Sequence, residues 1–81
     1  MINVLYFASL RETLGLAQSN HELVAGSSVA AFVDTLREQG DEWQQALSGQ
    51  LLCSVNQEMV PMETILNDGD ELALFPPVTG G

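Results

Sequence analysis

A chain of 81 residues is one domain, and at that size it hides only about 60–65% of the surface its unfolded form exposes, which excludes a large enclosed active site. Eleven acidic residues against two arginines and no lysine give a formal charge of -9, a field that repels phosphate backbones and anionic lipid; the expected partners are proteins, not nucleic acid or membrane. One cysteine, Cys53, excludes an intrachain disulfide, and the 46% hydrophobic content is far above that of a disordered chain.

The chain enters directly into Ile2-Asn3-Val4-Leu5-Tyr6-Phe7, without the basic flank and longer apolar run of a signal peptide, and no stretch approaches a membrane span, so a cytoplasmic location is expected. Residues 2–8 read as a strand with Ile2, Val4 and Tyr6 on one face and Asn3, Leu5 and Phe7 on the other. Ser9-Leu10-Arg11-Glu12 has capping-box spacing, and Gly15 offers a stop one turn later, predicting a short helix. A weaker strand is expected over 20–25. Gly26-Ser27-Ser28 then opens the main helix, in which Val29, Phe32, Val33 and Leu36 form one apolar stripe and Gly40 provides the end. Asp41-Glu42-Trp43-Gln44 repeats the capping-box spacing, with Trp43, Ala46 and Leu47 on the apolar side of another short helix.

Leu51 to Val55 reads as a strand, turned at Asn56-Gln57 into a short Glu58-Met59-Val60 segment that Pro61 ends. Asn67-Asp68-Gly69-Asp70 is a strong turn signal and reads as an acidic hairpin leading into Glu71–Phe75, where Leu72 and Leu74 alternate with Ala73 and Phe75. The resulting order, β-α-β-α-α-β-β-β, predicts an α+β domain over 1–75 with helices packed on one face of a small mixed sheet. Pro76-Pro77 lack amide donors and end the ladder, so 76–81 is expected to be an extended, flexible tail that reaches about 20 Å at most.

Nothing in the chain has the spacing of a metal cluster, a phosphate-cradling loop or a nucleophile triad, so it is not expected to be catalytic alone. Cys53 shares parity with Leu51 and Val55 and reads as a buried core thiol; His21 and Arg37 read as ordinary surface or edge residues. Strand parity sends Leu5, Phe7, Ala73 and Phe75 to the face opposite the helices, with Met59 beside them. Phe7, Met59 and Phe75 are the expected anchors of a docking face. Arg11 either pairs with a carboxylate nearby or forms an intermolecular pair beside that patch. The carboxylates of Asp68, Asp70 and Glu71 are expected to shape the hairpin, with steering of a partner as their second role. A terminal glycine presents a carboxylate free of any side chain, and a second glycine behind it passes a channel too narrow for a Cβ.

Val4-Leu5-Tyr6-Phe7-Ala8 followed by Leu10-Arg11-Glu12, the Val55-Asn56-Gln57 turn, Asp68-Gly69-Asp70-Glu71 and the ending Phe75-Pro76-Pro77-Val78-Thr79-Gly80-Gly81 together resemble the small subunits of molybdopterin synthase, which are ubiquitin-like sulfur carriers. The likeness runs over essentially the whole chain. It implies a β-grasp fold and no permanently bound cofactor. It also implies that an ATP-dependent activating enzyme, with Mg2+ expected there, adenylates Gly81, and that a sulfur from a persulfide donor such as a cysteine desulfurase or rhodanese-like protein converts the acyl-adenylate to a thiocarboxylate. In the same reading the tail enters the large subunit of a heterotetramer and gives its sulfur to cyclic pyranopterin monophosphate, forming the dithiolene. Gly80 provides clearance there, while Pro76, Pro77, Val78 and Thr79 meet the partner. The absence of lysine fits a carrier with an activated terminus, since no side-chain amine competes for the acyl group. Carriers for thiamine or tRNA thiolation share this tail chemistry, and a non-activated acidic adaptor is the alternative from another class.

Overall fold

The computed structural model describes residues 1–76. Among these residues five strands form one mixed sheet in the order β2-β1-β5-β3-β4, from β1 (Ile2–Tyr6), β2 (Gln18–His21), β3 (Leu52–Val55), β4 (Glu58–Val60) and β5 (Glu71–Phe75). Three helices, α1 (Ser9–Leu14), α2 (Val29–Arg37) and α3 (Asp41–Ala46), fall between the strands in the expected order. The last strand is the central one: β5 pairs in parallel with β1 and antiparallel with β3. This is the β-grasp arrangement.

One face of the sheet carries the core. Ile2, Val4 and Tyr6 of β1, Leu72 and Leu74 of β5 and Cys53 of β3 are buried against Leu10 and Leu14 of α1, the α2 stripe of Val29, Phe32, Val33 and Leu36, and Leu47 after α3. Trp43 and Ala46 pack on the same cluster from α3. The period-2 and period-3.6 patterns therefore converge on one layer between sheet and helices. At α2 the Ser28 side chain accepts from the Ala31 amide at 3.1 Å and caps the helix.

Several boundaries differ from the sequence expectation for physical reasons. β2 occupies Gln18–His21, not 20–25. Gly15, at φ 72°, closes α1 by donating its amide to the Arg11 carbonyl, and the chain returns so quickly that Ala17 already accepts from Tyr6. Pairing with β1 thus overrides the poor strand propensity of Gln18-Ser19-Asn20-His21. Leu23 packs on the core, whereas Val24 is exposed at a turn. β1 ends at Tyr6 rather than running to 8.

Neither capping box forms. Ala8 holds the N-cap position of α1 and Gly40 that of α3, each without a side-chain cap bond, so Ser9 and Asp41 are the first helical residues. Asp41 and Glu42 instead place negative charge in the first turn of α3. α2 stops at Arg37, ahead of Gly40. The 67–70 turn is not a hairpin, because β4 and β5 are not neighbours. Residues 61–70 carry the chain from the sheet edge to its centre, and Asp70 secures the landing by accepting from the Asn67 amide at 2.8 Å and from Asn56 Nδ2 at 3.0 Å. Asp68 pairs with the N-terminal amine.

The open sheet face and the groups beneath it

The second face of the sheet is built in three rows. Nearest the 67–70 turn, Asn20, Asn3 and Glu71 lie side by side, and Asn56 Oδ1 accepts from the Glu71 amide. The middle row runs Gln18, Leu5, Ala73, Ser54, Met59. At the end where β5 finishes, Phe75 lies between Leu52, its register partner, and Phe7. Phe7 is 46% exposed, Leu52 38% and Met59 59%, while Phe75 is half-buried and Ala73 buried. Polarity therefore falls along β5, from carboxylate to aromatic, and the apolar end lies where the chain leaves the sheet.

Parity placed Phe7, Met59 and Phe75 on this face, and the structure puts all three there, Phe7 against Phe75 and Met59 two strands from β5, beyond Ser54 in the middle row. It adds Leu52, an exposed apolar neighbour of Phe75. The alternation that buries Cys53 sends Leu52 to the opposite face, so the signal was present in the Leu51–Val55 strand. An uncovered apolar row of this kind is the composition of an interface centre.

Arg11 is exposed on α1, one turn beyond Phe7, and among the described residues it forms no ion pair. It lines a depression of about 480 Å³ with Ala8, Glu12, Gly15, Leu16 and Ala17. Arg37 behaves differently from the surface residue expected. Its Nε and one terminal nitrogen both donate to the Leu47 carbonyl, at 2.9 and 2.6 Å, and the other meets Asp34 at 2.7 Å. The guanidinium thus satisfies the end of α3 and ties it to α2.

Cys53 is buried as expected, and its thiol donates to the Val60 carbonyl at 3.2 Å. Burial, and then the charge of Glu63, push that thiol above its ordinary pKa, the reverse of what an activated nucleophile needs. His21 sits on the edge strand but is half-buried, edge-on to Phe32 and Trp43 with ring centroids 6.1 Å away in each case. Its Nε2 is 2.6 Å from Ser19 Oγ, which is 2.9 Å from the Tyr6 hydroxyl. Burial lowers the His21 pKa. Among the described residues no set of three His, Cys, Asp or Glu side chains could hold a metal ion, and no helix is long and apolar enough to cross a membrane.

Pro76 is half-buried at the mouth of the apolar row. Pro77, Val78, Thr79, Gly80 and Gly81, which carry the remaining tail expectations, lie outside the described residues.

The sequence profile of the ThiS family matches residues 4–81. Two relatives bear the name molybdopterin synthase sulfur carrier subunit: one from Escherichia coli, 46% identical over all of both chains, and one from Haemophilus influenzae, 42% identical over the same coverage. Among solved structures, SAMP1 of Haloferax volcanii superposes with a TM-score of 0.82 at 26% identity, over 99% of this chain and 98% of that one. A complex of subunits 1 and 2 of the molybdopterin-converting factor from Helicobacter pylori contains the same fold, at TM-score 0.67 and 23% identity over 99% and 97% of the two chains. From the edge-to-centre topology and a profile match that covers all but the first three residues, the chain belongs to the ThiS family.

Proposed function

We propose that this chain is the sulfur carrier of a molybdopterin synthase. The observation that carries the reading is the uncovered row Phe7, Phe75 and Leu52 at the point where the chain passes into Pro76-Pro77-Val78-Thr79-Gly80-Gly81. A domain that docks by this row sends its last residues into the partner. Full-length similarity to carrier subunits of that name supports the choice of partner.

The chemistry belongs to Gly81. A carboxylate becomes a competent electrophile only when one oxygen is made a good leaving group, so a carboxylate oxygen attacks the α-phosphorus of ATP on an activating enzyme and pyrophosphate departs. The outer sulfur of an enzyme persulfide then displaces AMP to give an acyl disulfide. A thiol of the activating system cleaves its S–S bond, itself ending in a disulfide and leaving a thiocarboxylate whose sulfur is a polarizable nucleophile. Docked on the large subunit, it transfers that sulfur to cyclic pyranopterin monophosphate. Gly80 gives the tail clearance, and Val78 and Thr79 anchor it. Ordering such residues costs roughly 1–2 kcal/mol each in backbone entropy, which Pro76 and Pro77 reduce by restricting the free tail. Catalytic bases and the ATP site belong to the partners, and the cytoplasm is the compartment that supplies them.

Reconstitution tests the assignment. Thiocarboxylated carrier, large subunit and the pterin precursor are expected to give the dithiolene product; a charged carrier that gives none, with an active large subunit, removes this pathway in favour of another carrier route.

A further inference from the structure

Among the described residues, three that are not glycine have positive φ: Ala8, Asn56 and Gln57. The last two form the two-residue loop between β3 and β4, where the twist of a hairpin requires that conformation. Ala8 has no such excuse. At φ 53° and ψ -129° it occupies the first central position of a type II′ turn, closed by the Leu10 amide donating to the Phe7 carbonyl at 3.2 Å. Glycine is the residue that fits this conformation without steric cost.

Such strain persists only where the surroundings over-determine it. Phe7 is still held by the sheet, its amide donating to the Leu74 carbonyl at 3.2 Å, and its ring belongs to the open face. Leu10, three residues on, is buried in the core on the other face. Ala8 absorbs the whole reversal, and its carbonyl accepts from the Glu12 amide in the first turn of α1. It also lines the depression that holds Arg11. One stiff residue thus joins Phe7, an exposed ring of the apolar row, to the helix that carries Arg11.

We infer that Ala8 is a positioning residue: its strained but rigid turn fixes Phe7 and Arg11 as one preorganised surface, and the fold gives up stability for it. This rests on the reading of the open face as the docking surface. A methyl group at this position narrows the accessible φ and ψ, where glycine would let the Phe7 ring and α1 move independently. Preorganisation of that kind appears in affinity, because side chains already held in place lose less freedom on binding.

The test uses full-length chains assembled by chemical ligation, with the large subunit of molybdopterin synthase as the probe. Ala8→D-Ala relieves the strain and keeps the stiffness, since a D-residue favours positive φ. Ala8→Gly relieves strain but loosens both the turn and the unfolded chain, so strain is read from the D-residue alone. Expected results are a thermal midpoint higher by about 4–8 °C for Ala8→D-Ala, with affinity within about twofold of the parent, and affinity about 3–10-fold weaker for Ala8→Gly. An unchanged or lower midpoint for Ala8→D-Ala, parental affinity for Ala8→Gly, or equal loss in both variants overturns the inference. Phe7→Ala is measured alongside: undiminished affinity there would instead overturn the docking surface itself, whatever the Ala8 midpoints show.

Discussion

The ring of Phe7 meets that of Phe75 edge-on, with centroids 6.1 Å apart and planes at 71°. This T-shaped pair links the end of the first strand to the end of the last, at the root of the tail, and its outer surface remains uncovered. Phe75 is half-buried, so truncation removes only part of its packing in the free domain. Phe75→Ala is expected to cost about 1–2 kcal/mol of folding stability and at least about 2 kcal/mol, or some 30-fold, of large-subunit affinity. Parallel thermal unfolding and titration calorimetry check the ordering; a larger loss of stability than of affinity contradicts it.

The two arginines are expected to separate cleanly. Arg37 donates twice to the Leu47 carbonyl, so Arg37→Ala strands the end of α3 and lowers stability by roughly 1–2 kcal/mol, with little effect on partner affinity. Its pair with the largely exposed Asp34 adds little to that figure. Arg11→Ala should leave stability within about 0.5 kcal/mol and weaken binding, since nothing described holds it in the free chain. Denaturant melts and affinities of both variants decide this, and a stability loss on Arg11→Ala would count against its assignment.

His21 supplies a pH dependence. Burial lowers its pKa, so the unfolded chain binds a proton that the folded chain resists, and stability is full above the unfolded value and falls as pH drops through the folded one. Protonation also fixes Nε2 as a donor, so Ser19 Oγ can only accept from the ring. The thermal midpoint is expected to decline from about pH 7.5 to about pH 5, and His21→Gln should flatten that decline. Identical slopes in the two chains would remove His21 as the cause.

Cys53 should be inert. Its thiol is buried, hydrogen-bonded and shifted toward the protonated form, so alkylation in the native state is expected to be far slower than in denaturant. Cys53→Ala should cost about 1–2 kcal/mol of stability yet leave sulfur transfer intact. Loss of transfer from folded Cys53→Ala would make it a sulfur relay after all.

These outcomes follow the boundary between what the residues disclosed and what they did not. The alternation of β1 and β5 and the α2 stripe specified the core face, and the same parity specified Phe7, Met59 and Phe75, because burial imposes a period that sequence records directly. The strand expected over 20–25 begins earlier, at Gln18, because Gln18-Ser19-Asn20-His21 is a strand by virtue of its partner, not its own propensity. Ser9 and Asp41 misled because capping spacing identifies a helix start only to within a residue, and Ala8 and Gly40 took the cap instead. Arg37 and Leu47 are ten residues apart, and nothing local announces a contact that depends on how two helices cross.

The tail divides function from folding. Removing Gly81 is expected to leave the thermal midpoint nearly unchanged while abolishing sulfur transfer, and replacing Gly80 with a bulky residue should impair entry into at least one partner site. Retained turnover without Gly81 would be incompatible with the proposed chemistry.

Intact-mass spectrometry after incubation with ATP, the activating enzyme and a persulfide donor tests the central claim most directly. The account predicts a gain of about 16 Da, from replacement of the terminal hydroxyl by a thiol, located at Gly81 by fragmentation. A mass unchanged beside an activating enzyme shown to charge a known carrier would contradict it and leave an acidic β-grasp adaptor in its place.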